Sequence, residues 1–403
     1  MSQLLLGSEM CVKVGIIIPV VGIPIQEYLF DIYDGLAPLE RKVVGFWRRK
    51  DGWVPDSRDL VVIASSSIRD RLLNKIYRMT SKFSREAQER HTYVPPLPLE
   101  WRRRFRGCVT EGDLDVLLIM YGGTGVAILD ELEHLKIPVV VNFGGSDSQI
   151  GDNVRWYAEG LQRLWQRADK CVFISEFLRQ QACSRGCPAE KSEVIYRGKQ
   201  VCEKPSSARS NSEVRFICAA SMLPVKGHRY LIEAFRLAKE KSGAIELWLI
   251  GEGPLMRDFK SLVNKLGLSG SVKFLGMLSP ADVRNLMLDS DVYVQASVRA
   301  PDGAEEGLGN AVLEAQACGL PAIVFGSGAL SEVVCDHISG FIVPEQNIEA
   351  MADAMVTLAG DTGLRGNMSE AAHQNIMEKF NLSTINKMWR ETLCDVVRSH
   401  RKP

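Results

Sequence analysis

Apolar residues along this chain alternate between short continuous runs and longer stretches with helical spacing. The first run, Lys13 to Val20 (KVGIIIPV), is rich in β-branched residues and predicts a strand buried on both faces. The next segment, Ile25 to Leu36, has the apolar spacing of a helix. Further strands are predicted at Lys42 to Trp47, Leu60 to Ala64, Val116 to Met120, Pro138 to Asn142, Cys171 to Ser175 and Glu193 to Tyr196. This alternation predicts a doubly wound parallel sheet.

The same alternation begins again after a polar, serine-rich segment, Lys199 to Ser212. Strands are predicted at Val214 to Ala220, Ile245 to Ile250, Val272 to Leu275, Asp291 to Ala296 and Pro321 to Phe325. Helices are predicted at Arg229 to Lys241, from the turn that ends at Leu255 to Leu266, and at Pro280 to Leu288, Asn347 to Ala359, Leu364 to Phe380 and Thr384 to His400. We therefore expect two α/β domains, residues 1–203 and 204–380, followed by a terminal helix within residues 381–403.

Composition narrows the class of protein. With 403 residues, 46% of them hydrophobic, the chain is long enough for two separate cores, and its zero net charge argues against a nucleic-acid binder. The ten cysteines are scattered, which favours reduced thiols over disulfides or a zinc site. No run reaches the roughly 20 apolar residues of a membrane helix. The N-terminus lacks the pattern of a signal peptide, so we expect a cytoplasmic protein.

The richest candidate site lies between the strands predicted at Asp291 to Ala296 and Pro321 to Phe325. Glu306 lies in the loop, and Gly307 to Asn310 lead into a short apolar helix that we expect Asn310 to cap. Glu314 falls about one turn inside that helix, so its carboxylate should be partly buried and paired. Backbone amides and two carboxylates at the carboxyl edge of a parallel sheet would suit a phosphorylated sugar. The alternative is a structural helix with one solvated and one salt-bridged glutamate.

Other glycine-rich turns follow predicted strands. They are Tyr121 to Gly125 (YGGTG), Phe143 to Asp147 (FGGSD) and Gly251 to Leu255 (GEGPL). The first two are either ligand loops or tight turns without a ligand, and the third lies at the carboxyl end of its strand, where we expect it to contact a ligand.

A basic segment interrupts the strand pattern between Ile68 and Gly107. Its arginines and lysines are interleaved with aromatic residues, including Trp101 and Phe105. Such a segment could lie on an anionic membrane surface, where a lipid-linked acceptor would be found. A solvated insertion is the alternative, and no recognised nucleic-acid-binding fold accompanies the charge.

Two pairs of aspartates have the Asp-x-Asp spacing that can hold a divalent cation. They are Asp113 with Asp115, and Asp289 with Asp291. Both pairs stand immediately before a predicted strand, at the amino edge of the sheet and opposite the ligand loops. We therefore expect them to be structural, and we expect no metal.

Glu306 and Glu314, separated by seven residues and followed by EAQACGLP, GSGALSEVV and GFIVP, resemble the donor site of family 4 glycosyltransferases. These are retaining enzymes of the GT-B fold, and the exopolysaccharide and lipopolysaccharide branch is the most similar. The resemblance implies two Rossmann-like domains facing across a cleft, with the acceptor on the first and a nucleotide-sugar donor on the second. It also implies that the terminal helix crosses back onto the first domain.

The resemblance assigns roles residue by residue. Glu306 would contact the donor sugar, Glu314 the ribose, and Lys226 with Gly227 the diphosphate. The segment from Gly251 to Gly253 and the backbone from Leu275 to Leu278 would form the walls of a nucleotide-base pocket. Catalytic roles are implied for Glu306, Lys226 and Asp147. Donor binding is implied for Ser221, Lys226, Gly227, Gly251, Gly253, Leu278, Glu306, Gly307, Leu308, Gly309, Asn310 and Glu314. Acceptor binding is implied for Gly22, Gly122, Gly123, Gly144, Gly145, Asp147 and Arg197. The chain departs from the family at Gly144, where a histidine is usual, and at Ser221, where an arginine is usual.

Together these patterns predict a cytoplasmic, retaining glycosyltransferase that needs no metal or other cofactor. It would move a sugar from a nucleotide diphosphate to a hydroxyl of a glycan, a lipid-linked sugar or a small aglycone. Two alternatives stay open. One is a sugar-nucleotide epimerase or phosphorylase on the same fold, and the other is a non-catalytic nucleotide-sugar-binding protein, suggested by Gly144 and Ser221.

Overall fold

A computed structural model describes residues 12–21, 27–48, 59–64, 97–110, 114–145, 155–202 and 213–401. The chain divides into two compact units. The first contains the residues up to Ile174, then Leu178–Ile195, and the chain from Ile385 onward. The second contains Ser175–Phe177 and Tyr196–Thr384. The long continuous part of the second unit therefore starts at Tyr196, whereas the sequence suggested a boundary at residue 204.

The first unit is built on a parallel sheet of seven strands. The strands are β1 (Lys13–Val21), β2 (Glu40–Arg48), β3 (Leu60–Val62), β4 (Val116–Met120), β5 (Val139–Phe143), β6 (Lys170–Phe173) and β7 (Ser192–Val194). The helices between them are α1 (Glu27–Gly35), α2 (Leu99–Thr110), α3 (Gly122–Ala127), α4 (Leu129–His134), α5 (Arg155–Arg167) and α6 (Glu176–Ser184), with a 3-10 turn at Ala189–Lys191. The strand order is β3-β2-β1-β4-β5-β6-β7, and it reverses between β1 and β4, as in doubly wound sheets.

The second unit has a parallel sheet of six strands in the order β10-β9-β8-β11-β12-β13. The strands are β8 (Val214–Ala219), β9 (Ile245–Ile250), β10 (Val272–Gly276), β11 (Val292–Gln295), β12 (Ala322–Phe325) and β13 (Gly340–Val343). The helices are α7 (His228–Ser242), α8 (Met256–Lys265), α9 (Pro280–Leu288), α10 (Asn310–Ala317), α11 (Leu330–Val333), α12 (Ile348–Gly360), α13 (Thr362–Lys379) and α14 (Leu382–Arg401), with a 3-10 turn at Pro224–Lys226. The parallel-sheet architecture expected for both units is confirmed.

The cores follow from the sequence patterns that predicted the strands. β4 and β5 are buried at every position, because strands covered by helices on both faces are apolar throughout. In the second unit, Phe216, Leu247 and Val294 from three strands pack in one cluster with Phe235 of α7 and Met355 of α12. Each unit therefore has its own apolar core.

The terminal helix α14 buries its predicted apolar stripe. Trp389 and Leu393 are buried, and the hydroxyl of Thr392 donates to Glu193 over 3.2 Å. Arg390 donates to the carbonyl of Gly35. These contacts lie among residues of the first unit, to which α14 belongs from Ile385 onward.

Helix α2 covers the described end of the basic segment, while residues 68–96 lie outside the described ranges. Trp101 and Phe105 point inward and are fully buried, so they are core residues. Arg102 pairs with Asp130 at 2.7 Å and approaches Glu131, and Arg104 pairs with Glu100. Arg106 also approaches Glu131, whereas Arg103 is exposed. The helix pattern was obscured in the sequence because arginines fill the outer face. Over the ranges that the structure describes, no helix is both long and apolar enough to cross a membrane.

Candidate functional site

The second sheet brings two loops together at the point where its strand order reverses. β8 and β11 are neighbours, and the chain continues outward from them to β9 on one side and β12 on the other. Lys226 follows β8 and Glu306 follows β11. The two loops are joined by a backbone hydrogen bond from Val298 N to Val225 O of 2.9 Å. Doubly wound sheets bind ligands in the crevice at this reversal.

Gly227 allows the two loops to approach this closely. Its φ is +61°, and a Cβ atom there would lie 1.7 Å from the carbonyl oxygen of Ala296. Any other residue would force the loops apart. Gly227 also precedes the first residue of α7, so it turns the chain into that helix directly after Lys226. Ser221, at the start of the same loop, is half-buried.

Lys226 and Glu306 form a largely buried ion pair. Lys226 Nζ donates to Glu306 Oε2 over 2.5 Å, and the two side chains are 23% and 11% exposed. Oε2 also accepts from Gln295 Nε2 at 3.0 Å and from Ser297 Oγ at 3.3 Å. Burial alone would raise the pKa of the Glu306 carboxyl, but Lys226 and Ser297, with a further contribution from the charge of Arg197, lower the pKa below its ordinary range. Glu306 is therefore an ionised acceptor.

The backbone of Glu306 is held by the loop that follows β12. Its carbonyl accepts a hydrogen bond of 2.9 Å from the amide of Ala329. Gly328 has a φ of +57°, and a Cβ atom there would lie 2.2 Å from the same carbonyl oxygen. Part of the GSGALSEVV segment thus holds the backbone of Glu306 in place.

The entry into α10 differs from the prediction. The helix begins at Asn310, and the capping residue is Gly309 with a φ of 86°, so the expectation that Asn310 caps the helix is wrong. The left-handed turn at Gly309 starts the helix one residue early and places Asn310 in its first turn. Within the described chain, Asn310 Oδ1 is buried and has no hydrogen-bond partner. Gly307 and Leu308 are buried beside it.

Glu314 lies one turn into α10 and is partly buried, as expected. Its side chain is 39% exposed, and Oε1 accepts from Lys199 Nζ at 2.7 Å. Near the end of α10, Cys202 N donates to Ala317 O over 2.9 Å, which ties the segment carrying Lys199 to the helix. Sequence reasoning missed Lys199 because it is 115 residues away and lies in what resembles a linker. Gln295 and Ser297 were missed because they belong to a segment that predicted only a strand and the start of its loop.

The residues predicted to surround a nucleotide base lie along the same edge of the sheet. Gly251 and Gly253 follow β9, and Leu278 follows β10. The amide of Gly251 donates to the carbonyl of Gly276 at 2.8 Å. The amide of Met222, beside Ser221, donates to the carbonyl of Glu252 at 2.9 Å. These bonds join the loops after β8, β9 and β10 into one surface, on which base binding stays a prediction.

Several residues predicted to bind the acceptor lie in the first unit. Gly122 and Gly123 are in the first turn of α3, so the loop predicted at Tyr121 to Gly125 is wrong. A Cβ atom at Gly122 would lie 2.5 Å from the Phe143 ring, and glycine thus lets α3 start close against β5. Gly144 and Gly145 follow β5, while Gly22 and Asp147 lie outside the described residues. Arg197 belongs to the second unit, where its charge acts on Glu306.

The aspartate pairs are engaged by basic and backbone groups. Asp291 accepts from the amide of Arg215 at 2.7 Å, and Asp289 accepts from the Arg215 guanidinium at 2.5 Å. Asp115 accepts from the amide of Lys13 at 2.8 Å and pairs with Arg401, while Asp113 lies outside the described residues. Across the described chain, no group of three or more histidines, cysteines, aspartates or glutamates is placed to hold a metal ion.

Comparison with known proteins places this geometry in a family. The family model for glycosyl transferases group 1 matches residues 203–375, and the model for glycosyltransferase family 4 matches residues 58–199. The first match contains Lys226, Glu306 and Glu314.

Individual relatives are similar over much of the chain. The WcaL protein of Escherichia coli strain K12, named for colanic acid biosynthesis, is 28% identical over 279 residues, 68% of each chain. The amylovoran biosynthesis glycosyltransferase AmsK of Erwinia amylovora is 27% identical over 250 residues, 61% of each chain. The solved structure of Anabaena Alr3699/HepE in complex with UDP superposes with a TM-score of 0.74 and 18% identity, covering 95% of this chain and all of that one. The chain belongs to the group 1 and family 4 glycosyltransferases and is a glycosyltransferase with the GT-B fold.

Proposed function

We propose that this enzyme transfers a sugar from a nucleotide diphosphate to a hydroxyl of a glycan or lipid-linked acceptor during polysaccharide biosynthesis. The observation that carries the proposal is the buried Lys226–Glu306 pair at the strand-order reversal, with Glu314 one turn into the adjoining helix. The names of the colanic acid and amylovoran relatives support the pathway class, and the UDP bound by the Anabaena protein supports a nucleotide donor.

The donor half of the reaction follows from the charges of the site. Lys226 places a cation beside the position proposed for the diphosphate, and the N-terminus of α10 adds the positive end of a helix dipole. Both stabilise negative charge that develops as the glycosidic bond breaks. Glu306 accepts hydrogen bonds from the sugar, and Glu314 accepts them from the ribose.

The sugar is transferred with retention of configuration and without a metal ion. The diphosphate departs first and the sugar acquires oxocarbenium character. The acceptor hydroxyl then attacks from the face that the diphosphate leaves and passes its proton to a departing phosphate oxygen. No side chain is needed as a strong base, which accords with Gly144 at the position of the family's usual histidine. The engagement of Asp289 and Asp291 by Arg215 supports metal independence.

The acceptor is bound on the cytoplasmic face of a membrane when it is lipid-linked. The segment from Ile68 to Gly107 supplies the contact in this proposal. Arg103 supports it, because its side chain is exposed on α2 while Arg102 and Arg104 pair with acidic residues of the same unit.

A thermal-shift panel of UDP-, GDP-, ADP- and dTDP-sugars tests the donor. A ligand that binds the folded state raises its stability with the logarithm of concentration over Kd. The stabilising donor is then supplied in labelled form with candidate acceptors. Transfer of label to an acceptor supports the proposal, release of free sugar phosphate or an isomerised donor supports the phosphorylase or epimerase, and binding without turnover supports a non-catalytic protein.

A further inference from the structure

Three buried polar side chains line up behind Glu306. Tyr293 and Gln295 lie on β11, and Ser297 follows two residues later. We propose that these three residues are a positioning relay that holds Oε2 of Glu306 and thereby presents Oε1 to the hydroxyls of the donor sugar. The assignment of Oε1 to the sugar rests on the proposed function, whereas the relay itself does not.

The placement of the relay residues is unusual for a buried strand. Tyr293, Gln295 and Ser297 are 0%, 1% and 0% exposed. Alternate positions of a strand point to the same face, so the three side chains form one polar stripe, whereas the intervening positions Val292 and Val294 of β11 are apolar. Burying an amide and a hydroxyl destabilises the fold unless each finds a partner. The partners here are one another, Glu306 and, at 3.4 Å from the Tyr293 hydroxyl, the carbonyl of Ala219.

The hydrogen bonds of the relay run in one direction. The Tyr293 hydroxyl donates to Gln295 Oε1 over 2.8 Å, which assigns Nε2 of Gln295 as the donor end of the amide. Nε2 then donates to Ser297 Oγ over 2.9 Å and to Glu306 Oε2 over 3.0 Å. Because Ser297 Oγ accepts from Gln295, its own hydrogen is available for Glu306 Oε2 at 3.3 Å. Oε2 of the ionised Glu306 thus accepts the hydrogens that Gln295 and Ser297 donate.

The relay and Lys226 converge on a single oxygen. Every hydrogen bond to the Glu306 side chain from the described residues ends on Oε2. An ionised carboxylate offers about four lone-pair sites over its two oxygens, so Oε1 keeps its accepting capacity for a ligand. Lys226 alone would hold Glu306 by charge but would leave the carboxylate free to rotate. The neutral donors Gln295 and Ser297 fix its rotation without adding charge.

The groups around the relay set the electrostatic background for any test. Lys226 lies in the loop after β8, and Arg197 acts on Glu306 from the start of the second unit. Cys218 on β8 and Glu314 on α10 act on Tyr293. A carboxylate introduced at position 295 would face Glu306 directly and would oppose its ionisation.

The experiment combines kinetics with a titration that needs no substrate. Gln295→Glu, Gln295→Met, Ser297→Ala and Ser297→Thr are compared with the unmodified enzyme. The control is Ser290→Ala, because Ser290 is also buried beside β11 but donates to the carbonyl of Leu286, away from Glu306. The pH profile of kcat is recorded with the stabilising donor, and the carboxyl of Glu306 is titrated by carbon-13 NMR, its signal being identified as the one that Glu306→Gln removes.

We expect Gln295→Glu to raise the pKa of Glu306 by about one unit or more, in line with a carboxylate gaining a like-charged neighbour. The acid limb of the pH profile of kcat should move to higher pH together with the pKa of Glu306. Gln295→Met and Ser297→Ala should lower kcat about tenfold, as expected for loss of one hydrogen bond to a charged group, with KM changing less. Ser297→Thr keeps the hydroxyl and should recover most of that loss, and Ser290→Ala should leave the pH profile unchanged.

The relay is overturned if Gln295→Glu and Ser297→Ala lower only the melting temperature and leave both the pH profile and the Glu306 titration unchanged. Ser297→Ala is a small change, so it can still test the relay if a variant at position 295 fails to fold. If no nucleotide sugar is turned over but Gln295→Glu still shifts the Glu306 titration, the proposed function fails and the relay stands.

Discussion

Lys226 Nζ lies 2.5 Å from Oε2 of Glu306, although the two residues are 80 positions apart in the chain. The pair joins the loop after β8 to the loop after β11 at the reversal of the strand order. We propose that Lys226 contacts the diphosphate and Glu306 the sugar of one donor molecule. Because the two side chains hold each other, loss of Lys226 should also disturb the carboxylate that contacts the sugar.

Lys226→Ala should lower kcat more than it changes KM. Charge accumulates on the diphosphate as the bond breaks, so we expect a loss of about a hundredfold, as for removal of one electrostatic stabiliser. The variant also leaves Glu306 without its main cation, which should raise its pKa and cost about 3 kcal/mol of folding free energy. Steady-state kinetics and urea unfolding measure both effects.

The matched control is Lys241→Met, which breaks an exposed pair with Asp353 in the same unit and should change stability by about 0.5 kcal/mol or less. A Lys226→Ala variant whose defect is confined to KM would refute the transition-state role.

His228 should make the stability of the second unit sensitive to pH. Its ring is fully buried against Phe259 at 5.3 Å between centroids, and among the described residues neither ring nitrogen has a hydrogen-bond partner. Burial, and then the charge of Lys226, lower its pKa from 6.5 to about 4. Between these values the unfolded chain binds more protons, so the unfolding free energy should fall by about 3 kcal/mol as pH decreases through this window.

His228→Phe should flatten that dependence, whereas the same change at the exposed His134 should not. Urea titrations between pH 7 and pH 4 test the difference, and an unchanged slope in His228→Phe would contradict it. Glu306 contributes with the same sign, because the stabilisation it provides is present above the ordinary carboxyl pKa and is lost as pH falls through the depressed pKa of Glu306.

Substitution of the two glutamates should have different effects on turnover and on nucleotide binding. Glu306→Gln should depress kcat and leave binding of the free nucleoside diphosphate nearly unchanged, because it contacts the sugar. Glu314→Gln should weaken binding of the nucleoside diphosphate by about 1.5 to 3 kcal/mol, the range for a hydrogen bond to a charged group. Lys199→Met should weaken binding of the nucleoside diphosphate by about 1 kcal/mol or less, because the partner of Lys199, Glu314, is 39% exposed.

Calorimetric titration of the nucleotide into each variant, beside saturation kinetics, decides between these roles. Equal losses of nucleotide affinity in Glu306→Gln and Glu314→Gln would show that the division is wrong.

Arg103→Glu should weaken sedimentation with anionic liposomes at low salt and leave donor binding intact. A basic residue near such a surface contributes about 1 kcal/mol, and reversal of its charge should have at least that effect. Arg236→Glu, which changes an arginine on α7 of the second unit, is the control. If the unmodified enzyme shows no liposome binding at low salt, the basic segment is only solvated.

Excess chelator should leave transfer activity intact. Lys226 and the start of α10 supply the positive charge proposed for the diphosphate, and Arg215 engages Asp289 and Asp291. The assay compares turnover before and after chelation, with magnesium and manganese added back in separate samples. Loss of activity that either metal restores would overturn the metal-free proposal.

Local patterns were sufficient to predict many of the strands and helices. β4, β9 and α9 have the bounds that the sequence predicted. In α9, Ser279 caps the helix by accepting from the amide of Asp282, and Pro280 occupies the first turn. Such signals depend on residues a few positions apart, so they can be recognised without knowing the fold. Glu306, Glu314 and Lys226 were recognised because the motifs that contain them resemble those of family 4 glycosyltransferases.

The tertiary structure decided which partner each of those side chains contacts. Lys226 meets Glu306 because β8 and β11 are neighbours in the sheet, and Lys199 meets Glu314 because the chain passes α10 before the second sheet begins. Asn310 lost its predicted role to Gly309 because only the surrounding loops determine which glycine adopts a left-handed conformation. The sequence by itself determined the strands, the helices and the chemical groups available. The order of the strands decided which of those groups lie within hydrogen-bonding distance, because that distance depends on contacts 80 to 115 residues apart that no local pattern encodes.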